Sequence, residues 1–173
     1  FAAAMPPDAT VLVLLSGGAS ALVEALPEGM DLTQLRALND WLLASGLDIV
    51  ATNRIRKRLS RIKGGRLARL LSPRPVLCLA ISDVPGDDLS VIASGPTVAD
   101  PTTAVDALKV LDFHGIAIPD ALRARLAAGE LETPKPGDPR LVNSEFRLVA
   151  SPRQMLEAAA AEANRLGIAP LIL

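Results

Sequence analysis

The sequence predicts an α/β protein built on a doubly wound, mostly parallel sheet flanked by helices. Three observations carry that expectation. Val11–Leu15 and Val76–Ile81 are continuous apolar runs, the pattern of strands covered on both faces. Segments of helical periodicity separate the strand-like runs, as crossovers between parallel strands require. Each of these two runs ends abruptly in small, hydroxylated or acidic residues, and ligands of open α/β sheets sit at those carboxyl ends.

In chain order, the first strand breaks into Ser16-Gly17-Gly18-Ala19-Ser20. Two adjacent glycines allow a sharp turn that brings backbone N–H groups close to an anion, and Ser16 and Ser20 add hydroxyl donors. The alternative is an ordinary tight turn between strand and helix. Asp31 is a good N-cap for a helix over 32–45, which Gly46 stops. A second helix begins at Asp48 and is expected to carry Ile49, Ile55 and Leu59 inward and its arginines outward. Gly64-Gly65 punctuates the chain before a short helical turn at 66–71. The second strand, 76–81, contains the single cysteine, Cys78, as a buried small hydrophobe. A loop-rich stretch over 82–103 follows, then helices near 104–111 and 120–128, and a proline-rich loop or linker at 133–139. A third strand at 146–150, an alanine-rich helix at 152–166 started by Pro152, and a fourth strand at 168–173 complete a Rossmann-like order. His114 reads as a helix C-terminal residue favoured by the helix dipole, Trp41 as a core residue and Asn143 as a turn residue.

At 173 residues, half of them apolar, the chain fits one domain with a substantial core. A net charge of -1 argues against a general attraction to nucleic acid or to an anionic membrane surface. No apolar run approaches the roughly 20 residues of a membrane span. One cysteine and one histidine exclude a disulfide framework and any Cys/His zinc site made by this chain alone. That usage fits a cytoplasmic protein. The chain begins Phe-Ala-Ala-Ala, without methionine, and ends on a strand-like run. It is therefore expected to be a piece of a longer protein, cut at both ends.

Charge is strongly segregated along the chain. Arg54, Arg56, Lys57, Arg58, Arg61, Lys63 and Arg66 hold seven of the eighteen basic groups within thirteen residues. Three readings compete. A charge run is ordinarily a solvated helix face. Nucleic-acid binding is disfavoured, because no aromatic lies inside the segment and the chain has only three phenylalanines and one tryptophan for stacking. A small-anion site is the third, with arginine forks and compact lysine charges meeting phosphate or carboxylate oxygens. Ser60, Lys63, Gly64 and Gly65 suit it, since a lysine followed by two glycines can lie over a phosphate. The Walker order Gly-Lys-Ser/Thr is missing.

Past the second strand comes Ser82-Asp83-Val84-Pro85-Gly86-Asp87-Asp88. Three carboxylates bent by Pro85-Gly86 suit a hard cation such as Mg²⁺, which takes one or two protein carboxylates beside water and substrate oxygens. Capping aspartates in a turn are the plainer reading. Asp83 could instead accept the proton of a substrate hydroxyl. Close behind lies another small hydroxylated turn, Ala93-Ser94-Gly95-Pro96-Thr97. Hydroxyls, cations and carboxylates at strand and loop ends are the parts that position a nucleotide and a metal.

These blocks together resemble the glycerate 2-kinase family. The resemblance rests on Leu15-Ser16-Gly17-Gly18-Ala19-Ser20-Ala21-Leu22, on the segment from Asn53 through Lys57, Ser60 and Lys63 to Leu67, on Ser82–Asp88, and on Ala93–Thr97 with Asp100-Pro101-Thr102-Thr103. It covers most of residues 11–103; residues 104–173 match loosely, through Glu132–Pro136 and Asn143. It implies a large α/β domain without the family's smaller second domain, and phosphorylation of D-glycerate to 2-phosphoglycerate with ATP and Mg²⁺. Under that resemblance Arg56, Lys57 and Asp83 are catalytic. Ser16, Gly17, Gly18, Ser20, Asn53, Ser60, Lys63, Gly64, Gly65, Ser94, Gly95 and Thr97 bind substrate or phosphate, and Asp83, Asp87 and Asp88 hold the metal. Ala19 stands where the family often has a third glycine, a tolerable change if the residue avoids positive φ. The family's Gly-Lys-Ala segment would lie ahead of Phe1, so these residues alone are not expected to turn over. A nucleotide and a small-molecule acid are the expected partners, with no nucleic acid or membrane, and a homo-oligomer is compatible with the sequence. Competing readings are an NAD(P)H-dependent hydroxypyruvate reductase, for which no Gly-x-Gly-x-x-Gly fingerprint is present, and a non-enzymatic anion- or nucleic-acid-binding module.

Overall fold

The structure, a computed structural model, describes residues 2–172. Three parallel strands, β1 (Val11–Leu15), β2 (Val76–Ile81) and β3 (Ser144–Ala150), form a sheet in the order β1-β2-β3. Val11 pairs with Val76 and Leu15 with Ala80, so β1 and β2 end side by side. Among the described residues seven α-helices accompany them: α1 (Ala19–Leu22), α2 (Leu32–Ala44), α3 (Ile49–Arg58), α4 (Arg66–Leu71), α5 (Ala104–Phe113), α6 (Asp120–Ala127) and α7 (Pro152–Arg165). Among the described residues no helix is long and apolar enough to cross a membrane.

Helix starts follow capping chemistry. Asp31 accepts from Gln34 N at 2.8 Å while Gln34 reaches back to Asp31 N, a reciprocal capping box. Asp48 accepts from Ala51 N, and Thr103 with Asp106 and Ser151 with Gln154 repeat the box at α5 and α7. The main core lies between helices. Leu38 and Leu42 from α2, Ile55 from α3, Ala107 and Leu111 from α5, and Leu122 and Leu126 from α6 pack together, with Trp41 partly buried against them.

Several expectations are corrected. Residues 168–172 form no strand, and Leu173 lies outside the described residues; Pro170, which lacks an N–H, interrupts that run. Ile49, expected inward, is 51% exposed in the first turn of α3, while Ile55 and Leu59 are buried. The basic residues of that helix do not all face water: Lys57 and Arg58 are buried, and Arg58 is 0% exposed. The 133–139 stretch is not a free linker, because Pro134 O accepts from Asp100 N at 2.9 Å and Thr133 is buried. Finally, the strands are covered on one face within the described residues. Val76, Cys78 and Ala80 are buried, whereas Leu12, Leu14, Ile81 and Val149 are exposed.

The helical core carries the stability of this arrangement. Leu111→Ala, at a fully packed site, is expected to lower the unfolding free energy by about 2–5 kcal/mol. Leu43→Ala, on the exposed side of α2, is expected to change it by less than about 0.5 kcal/mol. Denaturant titration of both variants checks the contrast.

Candidate functional site

The turn after β1 is open. Gly18 adopts φ 84° and precedes α1, a conformation that a side chain would strain. Ala19 is already helical, so it tolerates the missing third glycine. Ser16, Gly17 and Gly18 are exposed, and among the described residues nothing accepts a hydrogen bond from the N–H of Gly17 or Gly18. Free N–H groups on a tight turn are what an oxyanion requires. The acidic loop stands next to this turn: a Cβ added at Gly17 would lie 3.2 Å from Asp83 Oδ2. The adjacent ends of β1 and β2 make that approach unavoidable.

The basic segment is tied down from beneath. Asp100, 0% exposed, receives Arg58 Nη1 at 2.6 Å, Thr133 Oγ1 at 3.0 Å, Thr102 Oγ1 at 2.9 Å and Lys57 Nζ at 3.4 Å. Arg58 also meets Thr133 Oγ1 at 2.9 Å and Glu132 Oε1 at 3.0 Å, and donates to Thr102 O. Burial alone pushes the Asp100 carboxyl upward. The Arg58 hydrogen bond, the charges of Lys57 and Arg58, and the Thr102 hydroxyl more than offset it, and the group settles at about 2. Arg66 closes the end of α3, donating to Lys57 O at 2.7 Å and to the carbonyls of Ser60 and Leu131. A cation there meets the negative end of the helix dipole.

Lys63 reaches back toward the β1 turn. Its Nζ lies 2.7 Å from Ser20 O and 2.7 Å from Glu24 Oε2. Glu24 also accepts from Ser60 Oγ, and Ser60 in turn caps Ile62 N and Lys63 N. Arg56 is half-buried and makes no side-chain hydrogen bond among the described residues, and its Nε is buried without a partner. Burial lowers its pKa, partly countered by the charge of Glu24.

Ala93, Ser94 and Gly95 run through left-handed φ values of 52°, 61° and 60°, of which the first two are strained for residues with a Cβ. Gly64 N donates to Ser94 O at 3.0 Å and Gly65 N to Gly95 O at 2.7 Å, and Ser94 Oγ donates to Asn53 Oδ1 at 2.9 Å. The glycine pair therefore clamps this turn, and its N–H groups are committed there rather than offered to a phosphate. Asn53 Nδ2 and Thr97 Oγ1 are buried without partners among the described residues. α1 and α3 both contact the turn at Ile92–Ser94, which links the β1 turn, Asn53 and Ser94 in one region.

Of the acidic loop, Asp83 is exposed, Asp88 accepts from Ser90 N at 2.8 Å, and Asp87 (φ 55°) keeps Oδ1 buried without a partner. No group of three or more His, Cys, Asp or Glu side chains gathers for a metal among the described residues. Cys78 is buried, which raises its pKa. His114 caps α5 at its C-terminal end, and Asn143 Nδ2 donates to Pro73 O, a structural bond. Sequence reasoning missed Glu24, Asp100, Glu132 and Thr133 as the partners of the buried cations. Glu24 carries a signal in hindsight, being the lone charge in the apolar stretch 21–27.

Comparison with known proteins gives a consistent result. Residues 1–127 match the family model described as a domain of unknown function, DUF4147. A relative from Agrobacterium vitis with a provisional hydroxypyruvate reductase name is 53% identical over 96% of this chain and 37% of its own length. The glycerate 2-kinase of Pyrococcus horikoshii is 42% identical over 94% of this chain and 38% of its own length. The crystal structure of glycerate kinase from Thermotoga maritima superimposes with a TM-score of 0.82 at 40% identity, covering 95% of this chain and 38% of that one. The chain thus spans less than half the length of the relatives it matches.

Two outcomes test the geometry beneath the site. The Asp100 carboxyl sits at about 2, below its ordinary 3.8. Its contribution is therefore present above about pH 4 and lost as pH falls from there through pH 2, an effect of about 2 kcal/mol. Asp100→Asn should flatten that limb of the stability–pH curve and cost about 3 kcal/mol at neutral pH, since Arg58 is left buried without its counter-charge. Gly64→Ala would place a Cβ 2.8 Å from Thr133 Cγ2 at φ +59°, and is expected to cost more than about 1 kcal/mol. Chemical denaturation across pH measures both.

Proposed function

The chain belongs to the DUF4147 family, and from that premise we propose that the protein carrying it is a glycerate 2-kinase, transferring the γ-phosphoryl of ATP to D-glycerate with Mg²⁺. The observation that carries this reading is the open Gly17-Gly18 turn, its N–H groups free and Asp83 beside it. A buried block of cations underlies the same region. These residues form part of the large α/β domain, and the remainder of the active site comes from outside them. Cysteine usage is the basis for placing the protein in the cytoplasm.

The turn from Ser16 to Ser20 holds an oxyanion, the substrate carboxylate or a nucleotide phosphate, through backbone N–H and hydroxyl donors. Asn53 from α3 and Ser94 and Thr97 from the neighbouring turn add polar atoms, of which Asn53 Nδ2 and Thr97 Oγ1 lack partners among the described residues. Arg56, Lys57 and Lys63 supply positive potential to the transferring phosphoryl, the main demand of this chemistry. Lys57 and Lys63 act from salt bridges with Asp100 and Glu24, so their charges are held in place before substrate arrives. A glycerate hydroxyl oxygen forms the new bond to the γ-phosphorus as the bond to the bridging oxygen breaks. The electron pair leaves with ADP, and the hydroxyl proton passes to Asp83. Mg²⁺, when bound, neutralises phosphate charge; Asp83, Asp87 and Asp88 are oxygen donors of the kind it takes, and Asp87 Oδ1 lacks any internal partner.

ADP release by the full-length protein with Mg-ATP, with and without D-glycerate, tests the assignment, and phosphorus NMR of the product identifies the hydroxyl. Glycerate-dependent ADP with a 2-phosphate product is expected. No ADP from a folded preparation, with NADH consumed on hydroxypyruvate, would replace it by the reductase reading that the Agrobacterium relative's name suggests. In the full-length enzyme Lys57→Met is expected to lower kcat by on the order of a hundredfold.

A further inference from the structure

A second region of positive charge lies away from the residues to which the reaction is assigned. A cavity of about 800 Å³ is lined by Arg58, Arg61, Arg66, Arg69 and Arg125, together with Glu28, Glu130 and neighbouring apolar residues. Of the residues given to glycerate phosphorylation, only Ser60 borders it. Its size is that of a site for a small metabolite.

The arginines differ in how their charge is met. Arg125 pairs with Glu130 at 3.1 Å and donates to Glu28 O at 3.0 Å. Arg58 answers Asp100 and Glu132, yet its Nε is buried without a partner in a residue that is 0% exposed. Arg66 bonds only to carbonyl oxygens and has no ion-pair partner among the described residues, though Glu132 and Asp100 act on it from a distance. Arg61 and Arg69 make no side-chain hydrogen bond and no ion pair among the described residues. Three cations therefore share one cavity with Glu28 as the single lining carboxylate outside an ion pair.

That crowding is felt. Burial and the nearby charges of Arg58 and Arg69 hold Arg66 down at about 10. An anion seated among these groups would relieve the repulsion and receive forked, charge-assisted hydrogen bonds. We propose that this arginine-lined cavity is a separate binding site for a small phosphorylated ligand, anchored by Arg61 and Arg69 over the buried Arg58 and Arg66. The site does not depend on the kinase reading, because none of its four anchoring arginines is assigned a part in the transfer.

The test uses the full-length protein and inorganic pyrophosphate, titrated calorimetrically at constant ionic strength with saturating ATP present to occupy a nucleotide site. The comparison is Arg61→Gln/Arg69→Gln, which changes one exposed and one half-exposed residue and spares the buried pairs. Pyrophosphate is expected to bind, and the double variant to bind about tenfold or more weakly, since two charge-assisted contacts are lost. Asp83→Asn, an exposed residue outside the cavity lining, is expected to leave this affinity unchanged. Equal affinity in the double variant, loss of affinity in Asp83→Asn, or no binding by the wild type would each overturn the proposal. A free carboxylate ligand is distinguished by repeating the titration with citrate: tighter citrate than pyrophosphate binding would overturn the phosphate assignment. Glycerate-dependent ADP release by the double variant, measured alongside, separates failure of this site from failure of the kinase reading.

Discussion

The buried Arg58–Asp100 pair is the constraint on which the rest of the structure depends. Both side chains are 0% exposed, and an isolated charge at either position would be prohibitively costly. Each is therefore surrounded by groups that complete its hydrogen bonding. Thr102, Thr133 and Lys57 serve Asp100, while Glu132 and the Thr102 carbonyl serve Arg58. Those partners come from three separated stretches of chain. Satisfying one ion pair thus draws the end of α3, the entry to α5 and the proline-rich loop to a single point. A pair of this kind contributes less through net stability than through geometry, since its Coulombic gain is largely offset by desolvation. Here the geometry is the position of α3, and with it Asn53, Arg56 and Lys57.

The strained turn at Ala93–Gly95 follows from the same arrangement. Residues with a Cβ at positive φ cost on the order of 1 kcal/mol or more each. Ala93 and Ser94 are held there by hydrogen bonds from Gly64, Gly65 and Ser94 itself. Gly65 cannot give way, because a Cβ on it would meet Val98 O at 2.9 Å. The strain buries Ser94 against Asn53 and leaves Asn53 Nδ2 and Thr97 Oγ1 without internal partners. The turn is therefore rigid, and the polar atoms it leaves unpaired lie buried beneath it rather than facing solvent.

Much of the architecture was legible in the sequence, and the misreadings at the basic segment have a common cause. Strand positions and helix starts are local: apolar runs, Asp31, Asp48, Thr103 and Ser151 state them within a few residues. Which way a charged side chain points is not local. Arg58 and Lys63 look like members of a solvated helix face until Asp100 and Glu24 arrive from 42 and 39 residues away. A charge run carries no mark of its distant counter-ions, so periodicity assigned the arginines of α3 to water. Gly64-Gly65 shows the same limit. Its composition suggests a phosphate loop, but its N–H groups are spent on the 93–95 turn. The sharp turn at Gly17-Gly18, by contrast, is stated by five consecutive residues, and the left-handed Gly18 is where they put it.

Burying the cations also changes what they can do. A solvated lysine reaches an incoming phosphate by shedding water and losing side-chain freedom. Lys57 and Lys63 are already desolvated and oriented by Asp100 and Glu24, so that cost is met during folding. Their potential is then felt through a medium less screening than water. The counter-carboxylates reduce that potential without cancelling it. Two lysines and Arg56 stand against Asp100 and Glu24, and Asp100 is already shared with Arg58. Among these five groups the surplus is positive, while the carboxylate of Asp83 stands beside Gly17 at the β1 turn. In the proposed site an anion approaching the β1 turn would meet cations already fixed in place and free N–H donors, neither of which must reorganise. Preorganisation of that kind is the physical content of the proposal, and the buried ion pairs are what sustain it.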